Sequence, residues 1–130
     1  MILVDTSIWI DWLRPGNRHR FTDFELLNLA TCGPVVQEVL QGVRQETQAS
    51  RVRGILRAMP LLCNPLKRST FEHAAEIYRI GRRTGITVRS SHDCLIAAIA
   101  LENSASVWHH DRDFDQIARF TSLQAINRRP

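Results

Sequence analysis

Acidic residues occupy four places in the chain where a strand is predicted to end or a helix to begin. Asp5 directly follows the apolar run ILV, and Asp111 follows the apolar residues around position 107. Glu38 interrupts a valine-rich segment, and Asp93 opens a segment of leucine, isoleucine and alanine. In open α/β sheets, ligands bind beyond the carboxyl ends of the strands. Converging carboxylates repel one another, so the pattern predicts a site for a hard divalent cation such as Mg²⁺ or Mn²⁺.

Each acid also has a simpler explanation when it is taken singly. Asp93 could favour the positive end of a helix dipole, a stabilisation of under about 1 kcal/mol. Asp111 or Asp113 could be a helix N-cap, and Glu38 could be solvated. The metal-site interpretation therefore depends on the four positions converging in one domain.

The elements that must position these acids alternate between strands and helices, which favours an α/β fold with a mostly parallel sheet flanked by helices. With 130 residues, the chain is expected to form one domain over residues 1–130. The apolar patterns predict strands at 2–5, 61–66, 106–108 and 123–126. Ser7 is expected to cap the first of the helices, which are predicted at 8–13, 21–30, 33–42, 46–58, 69–83, 91–103 and 114–120.

The first predicted helix is apolar nearly all round. Ile8 and Trp12 lie on one face, and Trp9 and Leu13 lie on another. A short surface helix does not need two apolar faces. One face is therefore expected to meet the core, and the other is expected to meet either a partner chain or another segment of the same fold.

The composition indicates a basic protein without membrane attachment. The formal net charge is +4, and Lys67 is the only lysine among 17 lysine and arginine residues. Guanidinium groups bind phosphate in a bidentate fashion, so nucleic acid is a plausible partner. No apolar run approaches the roughly 18 residues of a membrane span, and residues 1–10 lack the features of a signal peptide. A cytoplasmic protein is expected.

Disulfide and zinc chemistry are both disfavoured by the sequence. The three cysteines Cys32, Cys63 and Cys94 are an odd number without CxxC spacing, and they are expected to be buried apolar residues. The adjacent His109 and His110 have no third histidine or cysteine at a recognisable zinc spacing.

Four segments, taken in order, resemble the motifs of the PIN-domain ribonucleases: MILVDTSIWIDWL, PVVQEVLQGV, SSHDCLIAAIAL and VWHHDRDFDQIA. Their order and spacing are most similar to those of the VapC-type toxins of bacterial type II toxin–antitoxin systems, and the resemblance covers essentially the whole chain. The resemblance places a supporting polar residue on Thr6 and the metal-binding acids of the family on Asp5, Glu38, Asp93 and Asp111.

The chain departs from the family pattern near the fourth acid. The family often has a threonine or serine two residues before this acid, where the present chain has His109. Asp111 is the first choice for the fourth acid. The departure leaves open whether Asp113 shares or replaces its role as a metal ligand.

The resemblance implies a single PIN-like domain that acts as a toxic endoribonuclease and uses Mg²⁺ or Mn²⁺ to hydrolyse RNA phosphodiester bonds. It also implies a homodimer and a cognate antitoxin that blocks the acidic site. One alternative is a non-catalytic PIN-like module that binds metal or RNA. Another is a phosphoryl-transfer enzyme with Asp5 as nucleophile, although such enzymes usually carry a second aspartate two residues later, where this chain has Ser7.

An RNA substrate requires groups that bind its backbone. His92, next to Asp93, could touch the substrate, but a solvated histidine at a helix start is the simpler explanation. The arginine candidates for contacts with phosphate are Arg44, Arg82, Arg83, Arg89 and Arg112.

Overall fold

Five short strands form one sheet in the computed structural model, which describes all residues from 1 to 130. They are β1 (Ile2–Val4), β2 (Leu29–Cys32), β3 (Leu61–Leu62), β4 (Ser106–His109) and β5 (Ala125–Asn127). Their order across the sheet is β3-β2-β1-β4-β5, and every neighbouring pair is parallel. The predicted α/β class is therefore confirmed.

Seven helices connect and cover the strands. Local signals start several of them: Thr22 and Glu25 form a reciprocal capping box, Pro34 stands in the first turn of its helix, and Ser90 is an N-cap. No helix is long and apolar enough to cross a membrane. The helices are α1 (Thr6–Leu13), α2 (Asp23–Asn28), α3 (Gly33–Gly42), α4 (Glu46–Ala58), α5 (Arg68–Arg83), α6 (Ser91–Glu102) and α7 (Arg112–Ala118).

Strand β1 lies at the centre of the sheet, and its residues Leu3 and Val4 are fully buried. The chain runs outward from β1 through β2 to β3 and then returns to the other side of β1 with β4 and β5. The strand order therefore reverses between β1 and β4. In parallel α/β sheets, such a reversal opens a crevice in which ligands bind. Asp5 follows β1 and Asp111 follows β4, so both acids are at this crevice.

Helix α6 is buried along most of its length. All residues from Ile96 to Ala100 have no exposed surface, and the helix packs against α5. A helix that is apolar all round is covered on all sides, and a densely packed interior does not let it shift. Asp93, in the first turn of α6, is thereby fixed relative to the sheet.

The predicted helix over residues 21–30 is confirmed at 23–28 and is wrong at its last two residues, which belong to a strand. Helix α2 ends at Asn28, and Leu29–Cys32 forms β2 between β1 and β3. All residues of β2 are buried. A short apolar run does not by itself distinguish a buried strand from a buried helix, and pairing with both neighbouring strands decides the outcome here.

The region around β3 also differs from the prediction. The strand expected over 61–66 is limited to Leu61–Leu62. Cys32 and Cys94 are buried as expected, but Cys63 is only half-buried. The chain turns at Cys63, where the Asn103 side-chain amide donates a hydrogen bond to Sγ at 3.2 Å. This sulfur therefore lies in a polar environment rather than in the core.

The second apolar face of α1 is covered by a segment of the same chain. Trp9 is only 1% exposed. The ring centroid of Phe21 lies 6.3 Å from that of Trp9 and 5.4 Å from that of Trp12. The indole N–H of Trp12 donates to the His19 carbonyl at 3.1 Å. Of the two expectations for this face, the structure supports cover from within the fold.

Candidate metal centre

Three carboxylates lie together beside the crevice between β1 and β4. One oxygen each of Asp93, Asp111 and Asp113 lies within 4.8 Å of the others. Asp93 and Asp113 are buried, at 8% and 3% exposure, whereas Asp111 is exposed. The cluster is therefore enclosed on one side and open to solvent on the other.

The starts of α6 and α7 hold this carboxylate cluster in place. The Asp93 N–H donates to the Ser90 hydroxyl oxygen at 3.3 Å. Asp111 is the N-cap of α7 and accepts the Asp113 N–H at 3.0 Å. The Asp113 carboxylate accepts the Ser90 N–H at 3.0 Å. Ser90 thus joins the two helix starts and fixes the separation of their acids.

Asp93 has the electrostatics of a cation ligand. Burial, followed by the charges of Asp5, Asp111 and Asp113, raises its pKa to about 8. Its Oδ2 is buried and has no hydrogen-bond partner. A carboxylate in this environment takes up a proton unless a cation neutralises the charge of the group.

Asp5 lies next to the carboxylate cluster rather than within it. Its charge contributes to the raised pKa of Asp93. Burial raises the pKa of Asp5, and hydrogen bonds from Ser7 oppose this by lowering it. Asp5 Oδ2 accepts both the Ser7 hydroxyl and the Ser7 N–H, the latter at 3.0 Å. Asp5, and not the predicted Ser7, is therefore the N-cap of α1.

Ser7 connects the end of β1 to the segment that follows β4. Its hydroxyl donates to the Asp5 carboxylate and accepts the His110 N–H at 2.9 Å. The Asp5 N–H donates to the Trp108 carbonyl at 2.9 Å. These hydrogen bonds hold Asp5 against the segment that carries Asp111.

Glu38 lies at the edge of the site, on α3. Its Oε2 accepts the Thr6 hydroxyl at 2.9 Å and lies 2.9 Å from His92 Nε2. The Glu38 side chain is 43% exposed, and its charge makes a small contribution to the raised pKa of Asp5. Thr6 therefore ties Glu38 to the end of β1, and a protonated His92 would form an ion pair with it.

The donor set fits a hard divalent cation. All candidate ligand atoms are carboxylate oxygens, which Mg²⁺ and Mn²⁺ prefer over softer metals. The buried, unpartnered oxygen of Asp93 supports the same conclusion independently of the residue types. Asp93, Asp111 and Asp113 are close enough to share one ion, and Asp5 and Glu38 extend the acidic edge beside them.

A family model described as "PIN domain" matches residues 2–120 of the chain. The chain belongs to the PIN-domain family. In this PIN domain, Asp5 and Asp111 follow the two strands between which the strand order reverses, Asp93 lies close to Asp111, and Glu38 lies at the edge of the site.

Two curated mycobacterial proteins resemble this PIN domain over almost its whole length. The chain is 39% identical over 133 aligned residues to "VapC ribonuclease Mb1587" of Mycobacterium bovis, covering 98% of each. It is also 39% identical to "Ribonuclease VapC11" of Mycobacterium tuberculosis, again covering 98% of each.

Solved structures share the fold of this PIN domain at low sequence identity. VapBC2 from Rickettsia felis, bound to a DNA fragment from its promoter, has a TM-score of 0.77 at 18% identity, covering 98% of this chain and 99% of that one. FitAcB from Neisseria gonorrhoeae has a TM-score of 0.72 at 18% identity, covering 98% and 97%.

Sequence reasoning gave Ser7, Ser90 and His92 no part in positioning the acids of this PIN domain. Ser7 was expected only as a helix cap, yet its hydroxyl holds the Asp5 carboxylate. The backbone N–H of Ser90 likewise holds the Asp113 carboxylate. His92 was expected to be solvated, yet it faces Glu38. The hydroxyl residue two positions after Asp5 is the sequence signal that could have indicated Ser7. The contact of Ser90 with Asp113 comes from its backbone N–H and has no such signal.

Proposed function

We propose that this PIN domain is the toxic, metal-dependent endoribonuclease of a toxin–antitoxin pair and hydrolyses RNA phosphodiester bonds. The observation that carries the proposal is the carboxylate cluster at the reversal of strand order. It occurs in a chain that is 39% identical, over 98% of its length, to proteins named as VapC ribonucleases. The proposal treats residues 1–130 as one domain.

The proposed metal ligands are Asp93, Asp111 and Asp113, with Asp5 and Glu38 completing the acidic site. Mg²⁺ or Mn²⁺ is the proposed ion, because the donors are oxygen atoms only. When bound, such an ion activates water and neutralises charge on a phosphodiester.

The protein's own groups orient this chemistry. Ser7 and Thr6 fix the carboxylates of Asp5 and Glu38 through hydrogen bonds. At pH values below about 8, Asp93 holds a proton in the absence of a cation, so cation binding at neutral pH releases a proton from this site. No serine or cysteine is proposed as a nucleophile, because the Ser7 hydroxyl is bonded to the Asp5 carboxylate and the Ser90 hydroxyl accepts the Asp93 N–H.

Two open cavities lie beside residues of the acidic site and offer room for an RNA strand. A cavity of about 490 Å³ is lined by Glu38, Arg44 and apolar residues of α1 and α3. Another, of about 670 Å³, is lined by His92, Arg82 and the facing surfaces of α5 and α6. Arginine at both cavities supports contacts with the phosphates on either side of the cleaved bond.

An antitoxin is the proposed protein partner, because the structural neighbours include VapBC complexes. The proposal also includes a homodimer and action in the cytoplasm, where RNA substrates are present. Light scattering of the purified chain, with and without its antitoxin, tests the homodimer.

The first experiment is induced expression of the wild type and of Asp5→Asn in a bacterial host, followed by sequencing of new 5′-phosphate RNA ends. Growth arrest with discrete cuts from the wild type alone is the expected result. Glu72→Gln, an exposed acid of α5 outside the site, is the matched control and should cut like the wild type. Identical RNA ends from wild type and Asp5→Asn, with both proteins folded, would contradict the proposal that this site cleaves RNA.

A further inference from the structure

The position two residues before Asp111 holds a histidine that is completely buried. His109 has 0% exposure, and its Nδ1 accepts the Asp111 N–H at 3.1 Å. An imidazole nitrogen that accepts a hydrogen bond carries no proton. The ring proton is therefore on Nε2, and the hydrogen bond to Asp111 selects this tautomer.

The other side of the His109 ring faces a carboxylate that is itself held in place. Nε2 lies 3.2 Å from Asp115 Oδ1, in an oblique approach rather than a well-aligned hydrogen bond, and no other acceptor reaches this nitrogen. The Asp115 Oδ2 accepts the side-chain amide of Asn127, in β5, at 2.6 Å. The ring also packs on Phe114, with 5.1 Å between ring centroids.

These contacts form a chain from the edge strand of the sheet to the exposed member of the carboxylate cluster. Asn127 holds Asp115, Asp115 faces His109, and His109 accepts the backbone N–H of Asp111. Asp111 is exposed, and only its own backbone contacts and the Asp113 N–H restrain it. Its direction toward Asp93 and Asp113 therefore depends on this support.

We propose that His109 is a positioning residue of the metal site: it fixes the backbone of Asp111, and Asp115 fixes the imidazole, so that the Asp111 carboxylate joins those of Asp93 and Asp113. The proposal rests on the proposed function, because it assigns a role toward the same divalent cation. Groups that orient metal ligands without touching the metal typically change metal affinity or activity by about 10–100-fold when they are removed.

The test measures Mn²⁺ binding to the whole protein by electron paramagnetic resonance. His109→Leu fills a similar volume but removes the nitrogen that accepts the Asp111 N–H. It should weaken Mn²⁺ binding by about 10-fold. His109→Asn places an amide oxygen near the position of Nδ1 and should restore most of the affinity. His109→Gln, whose amide lies farther from the backbone, should not.

Variants of Asp115 provide a second test that does not alter the core, because the Asp115 side chain is 45% exposed. Asp115→Ala should weaken Mn²⁺ binding, whereas Asp115→Asn keeps an acceptor for Nε2 and should bind nearly as well as the wild type. Equal losses in Asp115→Ala and Asp115→Asn would show a simple effect of charge and would overturn the positioning role. If His109→Leu does not fold, the Asp115 pair decides the proposal.

A ¹⁵N-edited spectrum of the histidine rings reports the tautomer of His109 directly. The expected result is a proton on Nε2 and none on Nδ1. A proton on Nδ1, or Mn²⁺ affinity unchanged in both His109→Leu and Asp115→Ala, would overturn the inference while leaving the proposed function intact. A wild type that does not bind Mn²⁺ would instead overturn the proposed metal site, and this inference with it.

Discussion

At the scale of single residues, Asp93 shows how a buried carboxylate surrounded by other acids lowers the stability of the protein that carries it. Its pKa is raised from 3.8 to about 8 by burial and by neighbouring acids. Between these two pH values the folded state holds a proton that the unfolded state has released. The stabilisation from this group is therefore fully present below pH 3.8 and is lost as the pH rises toward about 8.

Asp93→Asn should therefore raise the free energy of unfolding of the metal-free protein at pH 8, by about 0.5–2 kcal/mol, while removing metal-dependent cleavage. Near pH 4 the gain should vanish, because wild-type Asp93 is then protonated in the folded state. Urea unfolding in EDTA at both pH values measures this difference. The exposed-site control Glu72→Gln should show no such pH dependence, and an equal gain from Asp93→Asn at both pH values would contradict the argument.

Ser7→Ala should lower the free energy of unfolding by about 1–2 kcal/mol, because it removes the hydroxyl that bonds both the Asp5 carboxylate and the His110 N–H. The loss also leaves the pKa of Asp5 higher, since hydrogen bonds from Ser7 lower it. Thermal unfolding measures the first effect. Ser50→Ala, at an exposed position of α4, is the control and should cause no loss.

At the scale of elements, the segment between α1 and α2 completes the core over the first helix. Phe21 contacts Trp9 and Trp12 from this segment, and its ring lies 6.0 Å from that of Trp108 in β4. The segment has no regular secondary structure, and its position is fixed by the aromatic contacts of Phe21 together with the hydrogen bond from the Trp12 indole N–H to the His19 carbonyl.

Phe21→Ala should lower the free energy of unfolding by about 1–3 kcal/mol, which is less than for a fully buried phenylalanine because Phe21 is only half-buried. Phe24→Ala is the matched control, since Phe24 is 71% exposed, and it should change stability by less than about 0.5 kcal/mol. Urea unfolding compares the two. Similar losses would mean that Phe21 does not anchor the segment.

Two helical glycines should respond oppositely to alanine. A Cβ on Gly81 in α5 would lie 2.9 Å from both the Ile86 carbonyl oxygen and the Phe120 ring, so Gly81→Ala should destabilise by about 1–3 kcal/mol. A Cβ on Gly54 in α4 would meet nothing within 4 Å, so Gly54→Ala should stabilise by about 0.5–1 kcal/mol. The melting temperatures of the two variants measure the contrast, and a shift of the same sign would contradict it.

At the scale of the whole molecule, an acidic site lies in a protein of positive net charge. The acids converge at the crevice, whereas the formal net charge of the chain is +4. Arg83 is paired with Glu76 at 3.1 Å, so it is less available to a ligand than Arg89 and Arg112, which flank the residues of the site and are exposed. The proposed cation site, in a protein of positive net charge, suits a polyanionic substrate.

Cleavage of RNA should therefore weaken steeply as salt is raised, because each phosphate contact releases counterions. The double variant Arg89→Gln with Arg112→Gln should lower kcat/KM at low salt and reduce the dependence of log kcat/KM on log salt concentration. Arg53→Gln, on α4 at a cavity that includes none of the acids, should leave both unchanged. A wild-type rate that does not respond to salt would contradict a phosphate-binding surface.

The sequence by itself determined the α/β class and singled out acids of the proposed metal site. Asp5, Asp93 and Asp111 were recognisable because each interrupts an apolar run at the boundary of an element, and Glu38 because it interrupts a valine-rich helix. Such local contrasts are visible in one dimension. The long helices α4 and α6 were also predicted close to their final bounds, since capping residues and apolar periodicity are local properties.

The tertiary structure alone decided which groups come together. Residues 29–32 became β2 because neighbouring strands offered hydrogen bonds, which no local pattern encodes. Asp113 joined Asp93 and Asp111 within 4.8 Å because Ser90 ties α6 to α7. The ring of His109 contacts both Asp111 and Asp115 because β4 and α7 pack together in the folded protein. Burial and long-range hydrogen bonds depend on the whole fold, and they set the position and the charge state of each acid.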